Sequence, residues 1–600
     1  MRGTRSKNWV GFDTETCLGT VKLLAASNGQ LIEMPSTIQS IDFLYRQLPS
    51  IHDAGTFYNL RFDASAILRD AALSDPENVR AGDFEIGTYR VHHVPGKALV
   101  IAPKGGNRLS AVHIYDAAQF YPGGLDRAAK SVLGVGKNAD ELGVDRERIG
   151  NEVGYYEANR DRILPYCIQD AKLAGQLMAK FQSAVGESVG VYPASWYSGA
   201  SVAKSILTEL WVNPFYDWPT ELIADSVSAF SGGIFDTRIL GRVEKACEYD
   251  INSAYPYAIS GLPSISDPRP VTEQDPANFG FYLVSVKYDG LLPYRMPDRK
   301  TIIYPKSEEP LNAWLYSNEL ADYPDARIIR GWEFDTNWDV RPFKTIVRRL
   351  FQMRREYKSA HDPREGAVKV AMNSMFGAFA ETKHGWTRFT NLVYAGAITA
   401  ITRSYIRGMV RMSPIPPVSI ATDSVTYAGF VDFPSNDSLG GLKQSFANVP
   451  LVTYANGIRI IDGRLAKVRG LPRKVLRGEA REKVDLTAED FLSATGDTIS
   501  LTGTGPLPLV SGIVQRRQNE IASWVDIPKK VSLTPNLIRG VPDGPLTFEY
   551  LRDHAVTLHR RLVASDPTFK ILTPPQLVAL ENNQYPGPFR IEDVGEEIEE

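Results

Sequence analysis

Two runs with strand character carry carboxylates, and they lie far apart in the chain: WVGFDTET at residues 9–16 and CEYDINSAYPYAIS at 247–260. A fold for this chain has to accommodate two separate acidic centres. In the first run the period of two along a strand puts Asp13 and Glu15 on one face, where two carboxylates can hold a pair of hard cations. The pattern alone is weak, because Asp83-Phe84-Glu85 and Asp145-Arg146-Glu147 match it as well. Order strengthens it. FYNLRFDASAILRDA, 57–71, reads as a short strand leading through Asn59 and Asp63 into an amphipathic helix. LPYCIQDAKLAGQLMAKF, 164–181, has helical periodicity and sets Tyr166 and Asp170 four apart, on one face.

At 600 residues the chain is long enough for three to five domains with sizeable cores. With 43% hydrophobic and 10% aromatic residues, disordered, collagen-like and coiled-coil classes are excluded. Cys17, Cys167 and Cys247 form no CxxC, so neither a disulfide framework nor a structural zinc site can be drawn, and a reduced, intracellular chain is expected. The most apolar run, Leu392 to Ile401, is stopped by Arg403, short of a membrane span, and Asp13 interrupts the N-terminus before a signal core develops. Not secreted and not membrane-bound is the expectation. The 67 bases and 70 acids nearly cancel, which by itself argues mildly against a nucleic-acid binder. The distribution argues otherwise. Bases concentrate in RPFKTIVRRLFQMRREYK, 341–358, and again over 459–483, while 591–600 is an acidic tail.

A strand DxE, then NxxxFD, then YxxxD resembles the three 3′→5′ exonuclease motifs of proofreading DNA polymerases. The resemblance implies that Asp13, Glu15, Asp63 and Asp170 are metal ligands and that Tyr166 orients the attacking water. Asn59 and Phe62 would contact the frayed primer end, where stacking tolerates any base. The second run resembles motif A of family B DNA polymerases, DxxSxYP. Asp250 would then bind both catalytic metals beside the Ile251 carbonyl, and Tyr255 would close under the sugar of the incoming nucleotide. REGAVKVAMNSMFGAFA, 364–380, reads as one helix and matches motif B, KxxxNSxYG, with Phe376 in the tyrosine seat. Lys369, Asn373 and Gly377 fall on one stripe at 3.6 residues per turn. Lys can hold a triphosphate oxygen, and Gly lets a base pair approach the backbone. Upstream, Arg354 and Lys358 resemble the family's other triphosphate pair.

Motif C is PVSIATDSVTYAGF, 417–430, where the usual DTDS is Ala421-Thr422-Asp423-Ser424. Asp423 keeps the shared metal position, the first Asp is missing, and an active but altered polymerase is expected. Thr422 in that turn is a further candidate DNA contact. FSGGIF, 230–235, resembles the template-contacting YxGG motif and offers Phe230, Gly232 and Gly233. VTYANGIRIIDGRLAKVRG, 452–470, lies where the primer-gripping KxY is expected; Tyr454 matches, Val452 occupies the lysine seat, and Lys467 or Arg469 would take over the primer phosphate.

The motifs run in family order from 13 to about 470 and resemble the compact, protein-primed branch of phage and linear-plasmid polymerases. With 53 residues between Lys369 and Asp423, the branch's encircling insertion is expected to be absent, and unaided strand displacement weak. The expected fold is multidomain α/β and α+β, a ribonuclease-H-like exonuclease followed by a right-hand polymerase. Its expected divisions are an exonuclease over 1–190, a connecting region and palm over 191–341, fingers over 342–381, palm over 382–440, and thumb with C-terminal region over 441–600. Candidate boundaries are 184–200, the Pro-rich 263–276 and Gly440-Gly441. The resemblance implies two Mg²⁺ per site, replaceable by Mn²⁺. It also implies primer-template DNA and dNTPs as partners, with a priming terminal protein or other replication proteins as further candidates, in a bacterial cytoplasm if viral. Three alternatives stay open: an exonuclease with a degenerate, DNA-binding polymerase half; a reverse transcriptase with a nuclease; and a non-catalytic assembly protein.

Overall fold

The strand Asn8–Cys17 lies inside an eight-stranded mixed sheet of order Leu31–Glu33, Thr20–Ala26, Asn8–Cys17, Asp53–Phe57, Val112–Asp116, Ala98–Pro103, Tyr89–Val94, Asp83–Ile86. Its pairing to Asp53–Phe57 is parallel and its pairing to Thr20–Ala26 antiparallel, with a bulge after Glu15. A computed structural model describes residues 6–467, apart from 122, 191, 210–217, 239–240, 296–301, 305, 308, 361, 363, 383–386, 388 and 456, and then 483–484 and 498–532. The long helix Arg160–Val189 crosses the central strand with backbones nearly touching. A Cβ on Gly11 would stand 1.8 Å from the Ala171 carbonyl oxygen and 2.6 Å from the Gly175 nitrogen. Only glycine fits there, and this close approach sets Tyr166 and Asp170 over the strand end that carries Asp13 and Glu15.

A second, seven-stranded antiparallel sheet has the order Arg464–Lys467, Ile458–Ile461, Leu442–Ala455, Gly241–Ile251, Ser424–Tyr427, Pro417–Ala421, Phe235–Thr237. The helix Leu392–Met412 packs against it, with Ile406 and Met409 in a core shared with Tyr249, Ile420 and Val425. Beside it stands a four-stranded sheet of order Ser264–Val271, Arg327–Asn337, Phe279–Val286, Leu311–Tyr316. Lys344–Ser359 and Arg364–Phe379 form a packed helix pair, and the second of them touches Gly199–Glu209 and the long helix of the first domain. No described helix is long and apolar enough to cross a membrane.

Three sequence expectations need correction. The Pro-rich segment 263–276 is no boundary: Ser264–Val271 is an edge strand of the four-stranded sheet, where Pro268 and Pro270 cost little because one side of an edge needs no N–H, and the register shifts at Ser266/Pro268. The division at 440–441 falls inside the palm, since Leu442–Ala455 pairs directly with Gly241–Ile251 and brings Ile458–Ile461 and Arg464–Lys467 into the same sheet. Arg459, placed in the basic block 459–483, is turned inward at 8% exposure, its guanidinium 2.5 Å from Glu248 and 2.5 Å from the Ser419 hydroxyl.

The C-terminal hairpin, Thr498–Pro506 with Trp524–Ser532, carries a short helix, Leu509–Val514, between its strands. That insertion docks on the first domain. Leu509, Ile521 and Ala522 are buried in the same core as Phe12, Phe57 and Leu68. The Leu509 N–H donates to the Ser65 hydroxyl at 3.0 Å, and Arg69 donates to the Asn519 carbonyl at 3.2 Å.

Candidate active sites

Asp13, Glu15, Asp63, Tyr166 and Asp170 line one cleft of about 1190 Å³, together with Phe62, Lys137 and, from the C-terminal hairpin, Trp524 and Asp526. Asp63 lies in the helix Leu60–Ile67, which follows strand Asp53–Phe57, and the Thr14 hydroxyl donates to its carboxylate at 2.7 Å. Asn59 precedes the helix in a left-handed conformation (φ 74°), and its N–H donates to the buried Asp116 carboxylate at 2.7 Å. That bond offsets part of the cost of a conformation uncommon outside glycine.

Asp13 is pushed well above the usual carboxylate range by burial, then by the charges of Asp170, Glu15 and Asp63, with Lys137 opposing. Mutually repelling acids of this kind fit a hard divalent cation that would replace the missing positive charge. A buried Asp170 oxygen, Oδ1, has no hydrogen-bond partner among the described residues, which also suits a ligand atom. Cys167 lies close enough to complete a ligand cluster with Asp13 and Glu15. Its thiol donates toward Asp13 at 3.5–3.6 Å, and burial followed by the charges of Asp13, Glu15 and Asp170 raises it well above the usual thiol range.

Lys137 escaped the sequence reading. Its ammonium ion-pairs with Asp170 and donates to the Tyr166 hydroxyl at 2.9 Å. The sequence around it, GVGKNADEL, offers no periodic signal that would single it out. Burial and the charges of Glu15, Asp170 and Asp13 raise Tyr166 far above its ordinary value, so the phenol keeps its proton.

The second acidic centre forms where strands meet. Asp250 closes the strand Gly241–Ile251 and pairs in register with Ser424, the residue after Asp423. The Ile251 N–H donates to the Asp423 carbonyl at 2.8 Å, so the two acidic residues are held on neighbouring strands by backbone geometry. Thr422 turns the chain at φ 64° and donates its N–H to the Ile234 carbonyl at 2.7 Å. A Cβ on Gly233 would stand 2.7 Å from Thr422 Cγ2, so the 230–235 segment packs directly on the turn that carries Thr422 and Asp423. Ala421 supplies no third acid. Two acidic residues on neighbouring strands, beside an interior strand end, offer oxygen donors of the kind a hard divalent cation takes.

Around this centre, Tyr255 packs on Phe376 with ring centroids 4.5 Å apart, and burial followed by the Asp423 charge raises its phenol. On the helix Arg364–Phe379, Lys369, Asn373 and Gly377 are all exposed while Val368, Ala371, Met372, Met375 and Ala378 are buried. The expected stripe is a solvent-facing one. Arg354 pairs with Glu365 at 2.7 Å and donates to the Ser253 hydroxyl at 3.1 Å, while Lys358 is exposed one turn further on. Phe230 and Gly232 lie in the segment ahead of Gly233. Arg469 lies outside the described residues, as do the side chains of Tyr454 and Lys467.

Arg403, noted in the sequence only as the end of an apolar run, organises this region. It is 1% exposed and donates to the Ser231 and Gly232 carbonyls at 2.7 and 2.9 Å, where the Thr399 hydroxyl also reaches Ser231 at 2.6 Å. Glu319, fully buried, accepts from Arg403 (2.9 and 3.0 Å) and Arg407 (2.9 Å). Burial pushes the Glu319 carboxyl up, and the two guanidiniums more than reverse it. The available signal was a base every fourth residue, 403, 407 and 411, in an otherwise apolar helix.

Residues 137–389 match the family of DNA polymerases type B, organellar and viral. A DNA polymerase of Acidianus bottle-shaped virus (isolate Italy/Pozzuoli) is 27% identical over 274 residues, 42% of this chain and 41% of that protein. The chain thus spans about two-fifths of the length of that curated relative. Phi29 DNA polymerase complexed with primer-template DNA and incoming nucleotide superposes with a TM-score of 0.58 at 13% identity, covering 88% of this chain and 100% of the other. An orthorhombic crystal form of Phi29 DNA polymerase gives 0.56 at 16% identity, with the same coverage. In sequence over 137–389 and in fold over most of its length, this chain is similar to the family B DNA polymerases, in the compact form of Phi29 DNA polymerase.

Proposed function

We propose that the chain is a DNA-directed DNA polymerase that edits its own product with a 3′→5′ exonuclease, acting on primer-template DNA and dNTPs to replicate a small viral or plasmid-like genome inside a host cell. The observation that carries the reading is the pairing of Asp250 with the Asp423 turn, next to Tyr255 and the exposed stripe Lys369, Asn373, Gly377. Two Mg²⁺ per site, replaceable by Mn²⁺, would be held by Asp13, Glu15, Asp63 and Asp170 in one centre and by Asp250, Asp423 and the Ile251 carbonyl in the other. Bound there, they would offset the charge on the attacking and leaving oxygens of an in-line phosphoryl transfer.

The protein's own groups do the positioning. In the exonuclease centre the protonated Tyr166 phenol, fixed by Lys137, orients the attacking water, and Thr14 holds Asp63 in place. Asn59 and Phe62 hold the frayed primer end. In the polymerase centre the primer 3′-hydroxyl attacks the innermost phosphate of the nucleotide. Tyr255, braced on Phe376, forms a floor under the sugar with no room for a 2′-hydroxyl, the group that distinguishes RNA precursors. Lys369, Lys358 and Arg354 take the triphosphate, Arg354 exchanging Glu365 for phosphate oxygens. Asn373 and Gly377 face the nascent base pair. Phe230, Gly232, Gly233 and Thr422 contact the template backbone, and Tyr454 with Lys467 or Arg469 grips the primer. A priming protein or other replication proteins are further partners in this reading.

Ala421 and Val452 favour a second reading, a nuclease whose polymerase half only binds DNA. One experiment separates the two: labelled primer-template and Mg²⁺, with and without dNTPs, on wild type, Asp13→Ala and Asp423→Ala. Extension lost only in Asp423→Ala supports the polymerase; shortening without any extension by the wild type supports the nuclease.

A further inference from the structure

The basic block 341–358 divides between two places. Arg354 reaches the Ser253 hydroxyl, three residues past Asp250, with Lys358 exposed one turn further on, whereas Arg341, Lys344 and Arg348 line a separate pocket of about 300 Å³ against Tyr257, Ser260 and Gly261. Tyr255 and Tyr257 are two residues apart on the helix Ala254–Gly261 and so about 200° apart around it, which turns the pocket away from Tyr255 and the catalytic turn. From Lys344 to Arg354 the helix Lys344–Ser359 rises about 15 Å.

The chemistry of the pocket has one sign. No carboxylate among the described residues lines it. Arg341 is fixed, donating to the Gly261 carbonyl at 2.7 Å with its guanidinium 4.8 Å from the centre of the Trp338 ring. The side chains of Lys344 and Arg348 are exposed and make no hydrogen bond or ion pair with any described residue. Arg354 is engaged with Glu365, Arg364 with Asp362 and Glu187, and Arg403 with Glu319, whereas Arg349 and Arg355 of the helix Lys344–Ser359 are, like Lys344 and Arg348, exposed and without a side-chain partner among the described residues. The pocket also opens at the start of a 16-residue helix, where backbone dipoles favour negative charge and Phe343 offers no side-chain cap. Its volume accommodates one or two phosphate groups.

We propose that this pocket is a second phosphate-binding site, separate from the triphosphate residues, which takes either a phosphodiester of the bound DNA or the pyrophosphate released by synthesis. It rests on the polymerase reading only for the source of the phosphate. The test uses the full chain carrying Lys344→Gln and Arg348→Gln together, with Arg354→Gln for comparison; both positions are exposed, and an unchanged thermal midpoint verifies folding. Primer-template affinity is measured against salt with short and long single-stranded template overhangs. Pyrophosphate is titrated calorimetrically into the same proteins and used as an inhibitor of extension. If DNA backbone is the source, the double variant loses about one to two units of the log–log salt slope, each phosphate contact contributing roughly 0.7–0.9. If pyrophosphate is the source, the slope holds while pyrophosphate binding and inhibition weaken about tenfold. Neither change, or a rise in dNTP KM matching that of Arg354→Gln, overturns the proposal. A wild type that extends no primer refutes the polymerase reading instead, and the calorimetric titration still decides the pocket.

Discussion

Substituting Gly233 by Ala tests how tightly the 230–235 segment sets the polymerase turn. The added Cβ would lie 2.7 Å from Thr422 Cγ2 and 3.1 Å from its Cα, so one side must move by nearly an ångström to restore ordinary contact. Thr422 has little room to give. It is β-branched and stiff at χ1, sits in the left-handed region, and is tied by its N–H to the Ile234 carbonyl at 2.7 Å. On the other side, the Ser231 and Gly232 carbonyls are pinned by Arg403. The displacement therefore passes to Asp423, the next residue. A misplacement of about 1 Å in a reacting constellation costs about 10²-fold, or roughly 2.7 kcal/mol in the barrier. Single-turnover extension at saturating DNA and dNTP should fall by that factor in Gly233→Ala, while primer degradation without dNTPs stays within about twofold. Extension at the wild-type rate, or an equal loss of both activities, would refute the reasoning.

Three further outcomes follow from the geometry. Lys137→Met should lower exonuclease turnover at least tenfold and leave extension unchanged, because it removes the cation beside Tyr166 and Asp170; a rapid-quench degradation assay measures it, and an unaltered rate would remove Lys137 from the site. Ile521→Asp places a charge in a fully buried apolar contact and should release the C-terminal hairpin from the first domain, seen as faster hydrogen exchange at 509–523 with slow exchange retained at 8–17. Glu33 is held at a pKa of about 2 by hydrogen bonds from Arg160 and then Tyr156, so its contribution is present above the ordinary carboxylate pKa and disappears as pH falls from about 4.5 toward 2. Wild type and Glu33→Gln should differ in thermal midpoint at pH 6 and converge near pH 2; a constant difference would exclude the linkage.

The acids were legible because their spacing is local: two apart on a strand, four apart on a helix, or at the end of an apolar run. Period puts Asp13 with Glu15 and Tyr166 with Asp170 on common faces, and the order of the motifs along the chain separates them from Asp83-Phe84-Glu85 and Asp145-Arg146-Glu147. What brings the first two pairs together carries no such signal, since the Gly11–Gly175 approach joins residues with no common pattern. Lys137 and Arg403 were missed for the same reason: one sits in a loop without period, the other looks like an interruption of an apolar helix rather than its buried, ion-paired charge. Composition misled at 263–276, where prolines at a sheet edge resemble a linker, and at Arg459, where a base in a basic block is consumed by Glu248 inside the palm. The docking of 507–523 onto the first domain was beyond reach, because its bonds to Ser65 and Arg69 span some 450 residues of chain.

The central claim is that one chain carries two independent phosphoryl-transfer centres, and separation of function tests it most directly. Labelled primer-template with Mg²⁺ should be extended by wild type and Asp13→Ala but not by Asp423→Ala, and should be shortened without dNTPs by wild type and Asp423→Ala but not by Asp13→Ala. Loss of both activities in either single variant, or retention of extension in Asp423→Ala, would contradict the account.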